Sequence, residues 1–297
     1  MITPAGIICL GEALIDLTPP PEATLLNATS LNAMPGGAPL NVAVHLKRLG
    51  HRPLFAGTLS SDGFGERLRA LMEQEGIPGM PEEPVDAPTR LAVIDGRDGR
   101  PPFRFYGDRP ADTCLSTDHL DEAFSRGAEA IYAGSLMMID ENARETQRTA
   151  LQRARAAGML VACDPNPRPS AWPTQYTMVA VVEELLGYAS LAKLSLDDAR
   201  ILDWPDQPDQ LLERVRTIGA PTLVITDGPR GCWVSRPDGG LDHYAVPEVE
   251  VVDATGSGDA FFAAVIAGML EHGTITGDAV LRACALGATV AGRHGAF

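Results

Sequence analysis

The sequence predicts an α/β fold built on a mostly parallel sheet. Three observations carry that reading. Short β-rich runs alternate with longer helical patterns along the chain, glycines at 50, 76 and 158 close helical patterns, and the residues able to do chemistry fall just after strand-like runs. Such alternation builds right-handed βαβ units, because a right-twisted strand followed by a right-handed helix packs back onto its sheet on that hand only. In these sheets ligands bind beyond the carboxyl ends of the strands.

Taken in order, residues 6–10 (GIICL) read as a buried strand. Residues 40–49 read as a helix stopped by Gly50, and 64–75 as a helix closed by Gly76, since glycine adopts the left-handed cap without a Cβ penalty. A strand at 130–133 precedes a long helix at 141–157, ended by Gly158, and a strand at 159–163. Then come a strand at 191–194, a helix at 211–218 and a strand at 222–226. A β-rich stretch at 232–252 leads, strand-like, to Asp253, and helices at about 259–271 and 277–292 close the chain. Segments 14–35 and 87–112 break the rhythm. In the second, 90–94 and 103–106 flank a loop rich in Gly, Pro and charge, which is a hairpin signal. Together the two segments suit a small β-sheet standing off the body as a lid, within one domain spanning 1–297.

Composition narrows the function. With 45% apolar residues the chain can bury a core, which must rest on Ala, Leu and Val because aromatics are only 5%. A net charge of −15 argues against a nucleic-acid surface, which needs a basic patch. Cysteines at 9, 114, 163, 232 and 284 are odd in number, widely spaced and without C-x-x-C, as expected of reduced, mostly buried thiols in a cytoplasmic protein. No Lys or Arg precedes the first apolar run, which Glu12 and Asp16 interrupt, so no signal peptide is expected. No run reaches the ~18 apolar residues of a membrane span.

The strongest motif is VVDATGSGDAFF at 251–262. A glycine-rich turn opens an apolar helical run there. A helix N-terminus presents unpaired N–H groups and roughly +0.5 elementary charge, and glycines admit an anion close to the backbone. Gly256, Ser257 and Gly258 can thus hold negative charge on a transferring group, and Asp259 can take a proton from an attacking hydroxyl. Read alone, Asp259 is equally an acidic helix cap. The string GGAPLN at 36–41, the Asp16 of GEALID, DPNPR at 164–168 and TDGPRG at 226–231 would each pass alone for a turn.

Together these strings resemble the ribokinase-like (PfkB-type) carbohydrate kinases. Residues 253–259 match the family's D-[TA]-T-G-A-G-D signature, with Ser257 where Ala is usual, and GGAPLNVA matches G-G-A-x-x-N-x-A. The resemblance runs from Gly11 to about Gly295. It implies a three-layer α/β/α sandwich with a β lid, and an ATP-dependent kinase whose catalytic base is Asp259. It implies a sugar site of Asp16, Gly36, Gly37, Asn41 and Arg168, with Arg104, Phe105 and Tyr106 from the lid hairpin. Lys193, Ser195, Thr226, Gly228, Gly231 and Thr255 would serve the nucleotide. Asp198 would reach Mg2+ through water, and Asp253 a monovalent cation, K+. Ser195 and Asp198 stand where the family's N-x-x-E has Asn and Glu, and relatives continue past His294-Gly295-Ala296-Phe297 for another strand or loop. GEALIDL, FRFYGDRPAD and DPNPRPSAWP are most similar to fructokinases. A ketodeoxygluconate kinase, another sugar or nucleoside kinase, and a non-catalytic sensor stand behind. The family also implies a homodimer through the lid. P-loop, H-E-x-x-H and G-x-S-x-G motifs are absent, and the six histidines lack ligand spacing.

Overall fold

The computed structural model describes residues 6–20, 22–94 and 103–297; the expected hairpin turn at 95–102 lies outside the described residues, as does residue 21 of the first lid segment. In chain order the elements are β1 (Gly6–Leu10), β2 (Leu14–Thr18), β3 (Asn32–Gly36), α1 (Ala38–Arg48), β4 (Arg52–Ala56), α2 (Gly63–Glu75), β5 (Gly79–Met80), β6 (Leu91–Ile94), β7 (Phe103–Tyr106), α3 (Thr117–Ser125) and β8 (Ala130–Ala133). Then follow α4 (Glu141–Ala156), β9 (Leu160–Cys163), α5 (Gln175–Tyr188), β10 (Leu191–Ser195), α6 (Leu196–Ile201), α7 (Pro208–Ile218), β11 (Thr222–Thr226), β12 (Cys232–Ser235), β13 (Leu241–Tyr244), α8 (Ser257–His272) and α9 (Gly277–Ala291).

The main sheet runs β13-β12-β11-β10-β9-β8-β1-β4-β5. From β11 to β5 every pairing is parallel, while β12 and β13 add an antiparallel edge. Alternation along β1 explains the layers. Ile8 and Leu10 point into a core shared with α4, α5 and α7, and Ile7 and Cys9 into another shared with α1, α8 and α9. Helices therefore cover both faces, as the expected sandwich requires. Four of the five cysteines are buried.

Helix α8 is buried from Asp259 to Gly268, an apolar surface nearly all round that marks a central helix. It packs tightly on α9, for a Cβ at Gly268 would lie 2.6 Å from the Ala279 Cβ. On the sheet side Phe262 meets Tyr132 edge to face at 6.0 Å. The turn at 256 is thus held at the sheet's carboxyl end by a helix with little freedom to shift.

A second sheet, β3-β2-β6-β7, stands apart as the lid. Its strands fall within the two anomalous segments, except that β3 runs one residue further, to Gly36. Its root is anchored by polar groups. Asp62 caps α2 by accepting from Gly65 N and also accepts from Thr89 N and Oγ1 at 2.8 and 2.6 Å, while buried Arg90 and Asp112 pair at 2.8 Å.

The strand-like reading up to Asp253 is not borne out. Residues 245–256 carry no strand, and the N–H groups of Val252 and Asp253 donate to Ala291 O at the end of α9. β-branched content favours a strand only where a sheet edge is there to pair with, and here α9 supplies the acceptor instead. Strands β4 and β5 and helices α3, α5 and α6 were not expected. Helix α5 is mostly apolar with weak periodicity, which blurs the 3.6-residue signal.

Candidate active site

The carboxyl ends of β1, β9, β10 and β11 open under the lid into two adjoining cavities. The first, of about 630 Å³, is lined by Glu12, Asp16, Asn41 and Asp259, with Phe103 and Phe105 from the lid. The second, of about 1030 Å³, runs along Thr226, Gly228 and Gly231 to Gly287. Lys193, Arg168, Phe103 and Gly258 line both and so mark the junction.

Asp259 stands near that junction. The N-cap of α8 is Gly256, with φ of 75° and no side-chain cap, so Asp259 does not cap its own helix. Its Oδ2 instead accepts from Asn41 Nδ2 at 2.8 Å, across 218 residues of sequence. Burial pushes the Asp259 carboxyl up to about 6. The Asn41 amide holds it down, nearby Asp164 raises it, and Lys193 and Arg168 oppose the rise. The group is therefore ionised at neutral pH and basic enough to accept a proton.

The turn before it is constrained. A Cβ on Gly256 would lie 2.6 Å from Ala296 Cα, so the left-handed residue is also sterically confined. The Ser257 hydroxyl donates to Ala254 O at 2.8 Å and closes the turn, and the Ser257 N–H donates to the same carbonyl. That leaves the N–H groups of Gly258 and Asp259 without an intrahelical acceptor at the helix start. Lys193 approaches from β10, its Nζ 3.5 Å from where a Gly258 Cβ would stand. It pairs with buried Asp164 Oδ2 at 2.6 Å. Burial pulls the lysine down, but Asp164 and Asp198 outweigh it and hold Lys193 charged.

In the first cavity, Asp16 sits mid-strand in β2, opposite Met34 and Ala92. A Cβ on Gly36 would lie 2.3 Å from Asp16 Oδ2, so the glycine makes room for this carboxylate. Burial drives Asp16 up to about 7, with Arg168 opposing and Asp259 adding to the rise. Gly37, at φ 105°, lets the chain turn against Glu12. The Asn41 Oδ1 is buried without a partner among the described residues. The Arg168 guanidinium stacks on the Phe103 ring at 4.5 Å, and the Ser170 hydroxyl donates to Phe103 O, tying lid to body.

Some expected site residues lie elsewhere. In β7 the side chains alternate, so Phe103 and Phe105 face inward while Arg104 and Tyr106 are exposed. Arg104 lines neither cavity. Asp198 is turned to its own helix: its Oδ2 accepts from Ser195 N at 2.8 Å and Ser195 Oγ accepts from Asp198 N, a reciprocal cap on α6. Both still line the second cavity. Thr255 lines the first cavity, not the second, and donates its N–H to Asp253 Oδ1. Asp253 Oδ2 accepts from Gly295 N at 3.2 Å. Among the described residues no three His, Cys, Asp or Glu side chains converge as a metal cage. Sequence reasoning missed Glu12, Phe103 and the Asp164–Lys193 pair. Phe103 was recoverable from strand alternation, whereas the ion pair joins neighbouring strands and has no local signal.

A profile of the pfkB family carbohydrate kinases matches residues 5–297. The chain belongs to that family. It is an ATP-dependent carbohydrate kinase in the company of fructokinases. It is 32% identical to "Probable fructokinase-7" of Arabidopsis thaliana over 98% of this chain and 88% of that one. A fructokinase from Xylella fastidiosa with bound ATP superposes with a TM-score of 0.83, at 29% identity over 98% of this kinase and 93% of the other. Aminoimidazole riboside kinase from Salmonella enterica, complexed with aminoimidazole riboside and an ATP analogue, also gives 0.83, at 25% identity over 98% and 95%. The described residues of the kinase include no helix long and apolar enough to cross a membrane.

Proposed function

We propose that this kinase transfers the γ-phosphoryl group of ATP to the primary hydroxyl of a neutral sugar, fructose first among them, to give fructose 6-phosphate. The observation that carries the reading is the first cavity. Three buried carboxyl groups, Glu12, Asp16 and Asp259, and Asn41 with its unpaired amide oxygen line it, and these groups match the hydroxyls of a polyol. Names of relatives support fructose over other sugars.

ATP lies in the second cavity along Thr226–Gly231, with its γ-phosphate at Lys193 and Gly258. Asp259 removes the proton of the sugar hydroxyl. The alkoxide oxygen forms the new O–P bond in line as the bond to ADP breaks. The N–H groups at the start of α8 and the Lys193 ammonium stabilise the equatorial oxygens. Because no three acidic or histidine side chains converge here among the described residues, a magnesium ion would come in with the nucleotide and its water shell rather than in a protein cage, and would supply charge neutralisation for the polyphosphate. Asp253 keeps a lone pair on each oxygen for a monovalent cation, and turnover in KCl against NaCl checks that role. The lid excludes water that would otherwise take the phosphoryl group. We take residues 1–297 as one cytoplasmic kinase domain, dimerising through the lid's edge strands β3 and β7.

A second reading is favoured by Arg168, whose guanidinium would suit the carboxylate of ketodeoxygluconate. An ADP-release assay with ATP and magnesium against fructose, ketodeoxygluconate, ribose, tagatose and adenosine separates the readings. Turnover on fructose above the rest supports the proposal, and preference for ketodeoxygluconate transfers the site to the acid. Silence from folded protein leaves an unusual substrate or the non-catalytic sensor, which ligand-induced thermal shifts with each compound separate.

A further inference from the structure

Glu12 has no step in the mechanism above, yet it stands in the sugar cavity. It follows β1 through Gly11, whose φ of 143° no other residue adopts easily and where a Cβ would lie 2.6 Å from Pro39 Cγ. Its carbonyl is clamped from the other side, for a Cβ on Gly37 would lie 2.7 Å from Glu12 O. Two glycines in backbone conformations that other residues rarely adopt therefore fix the direction in which residue 12 leaves the sheet. The side chain is 4% exposed and lines the first cavity with Asp16, Asn41 and Asp259.

Its Oε2 is buried and has no hydrogen-bond partner among the described residues. The cation nearest in kind, Arg90, is engaged with Asp112 through both Nε and Nη2. Buried polar atoms are rarely left unpaired in a folded protein, and one at the wall of a substrate cavity is paired when the substrate arrives. Burial pushes the carboxyl up to about 8; its own backbone N–H and Arg90 oppose the rise, and Asp112 and Asp259 add to it. At neutral pH the group is thus an undissociated acid, able both to donate and to accept.

We infer that Glu12 is a specificity residue of the sugar site, its carboxyl group bonding a hydroxyl of the bound sugar other than the one phosphorylated. The inference rests on the sugar-kinase reading. Its chemistry is distinct from that of Asp259. Asp259 loses and gains a proton during turnover, whereas Glu12 keeps its own and reports whether a hydroxyl is present. A site that buries such a group rejects an analogue lacking the matching hydroxyl, because the carboxyl is then left dry and unpaired.

The test is a substrate–variant cycle. Wild type, Glu12→Ala and Glu12→Gln are assayed by ADP release with fructose and its monodeoxy analogues at saturating ATP, and KM for ATP is measured alongside. Glu12→Ala should lower kcat/KM for fructose about 10- to 100-fold, the range for a lost bond to a buried group, with the ATP KM unmoved. For one deoxy analogue alone, wild type and Glu12→Ala should be equally slow. Glu12→Gln, with a hydrogen-bonding head of the same size, should recover most of the loss on fructose, and it carries the cycle if the alanine variant does not fold. An equal loss on every analogue, or a parallel rise in ATP KM, would show that Glu12 only supports the fold. Wild-type behaviour of both variants would equally overturn the inference. The wild type on its own tests the underlying reading: inactivity on every neutral sugar removes both, while an active wild type with a uniform variant effect removes the Glu12 inference alone.

Discussion

Replacing Asp259 by Asn separates chemistry from folding, because the two effects have opposite signs. The asparagine keeps an oxygen for Asn41 Nδ2, which donates to Asp259 Oδ2 at 2.8 Å, so the buried contact survives. What is lost is the proton acceptor. General-base catalysis supplies about 10²–10⁴ in rate, so kcat should fall at least ~100-fold, a loss of about 2.7 kcal/mol of transition-state stabilisation. Stability should move the other way. The carboxyl is raised from 3.8 to about 6 by burial. The folded state therefore binds more protons than the unfolded one between those values, and its stability falls as pH rises from about 4 to about 6. Above about 6 the ionised group leaves a penalty on the order of 3 kcal/mol, at 1.36 kcal/mol per unit. The neutral amide removes that penalty, so at pH 7.5 the variant should melt at or above the wild-type temperature. The assay pairs steady-state kinetics from pH 5 to 9 with thermal melts. Wild-type kcat/KM should drop tenfold per pH unit below about 6, because the base is then protonated. A variant retaining near-normal kcat, or a wild type with no acid limb, would sink the assignment of Asp259 as base.

Four further substitutions probe the surroundings. Asn41→Ala removes the amide that holds the Asp259 carboxyl down, so the acid limb should move up by as much as about one unit; an unmoved limb in the pH–rate profile would mean that the bond does not tune the base. Gly256→Ala forces a Cβ to within 2.6 Å of Ala296 Cα at φ 75°, which should cost at least ~1–2 kcal/mol in a melt and lower kcat by misplacing the start of α8; an unchanged melt and kcat would show the turn to be tolerant. Arg104→Ala should leave the sugar KM within about twofold, while Phe103→Ala, by freeing Arg168 from a stack worth ~0.5–2 kcal/mol, should raise KM for both sugar and ATP; the reverse order would place the guanidinium of Arg104, not the ring of Phe103, at the junction.

The glycine turn that opens α8 just before Asp259 was legible because glycine, helix start and carboxylate are contiguous in the chain. Thr226, Gly228 and Gly231 were legible for the same reason, as a turn after a strand, and they do line the second cavity. Arg104 was expected at the cavity because the family resemblance pointed to the hairpin without fixing the phase of its strands, and it is exposed. One step along a strand exchanges the inner and outer faces, and only pairing of Leu91 with Tyr106 and Ala92 with Phe105 sets which ring looks inward. Asp198 was read toward a metal from its place in a motif, whereas its backbone neighbours claim the carboxylate first.

The sequence by itself determined the α/β alternation, the stops at Gly76 and Gly158, the segregation of a lid, and the family, since all of these are written in short spacings. Tertiary structure alone decided how the site is wired. Asn41 reaches Asp259 from 218 residues away, Lys193 meets Asp164 across the sheet, and Phe103 carries Arg168 between lid and body. Burial likewise decided that Glu12, Asp16 and Asp259, alike as residue types in the sequence, sit at about 8, 7 and 6. The physical reason is the same throughout: desolvation and pairing depend on which distant groups the fold brings together, and no local pattern carries that information.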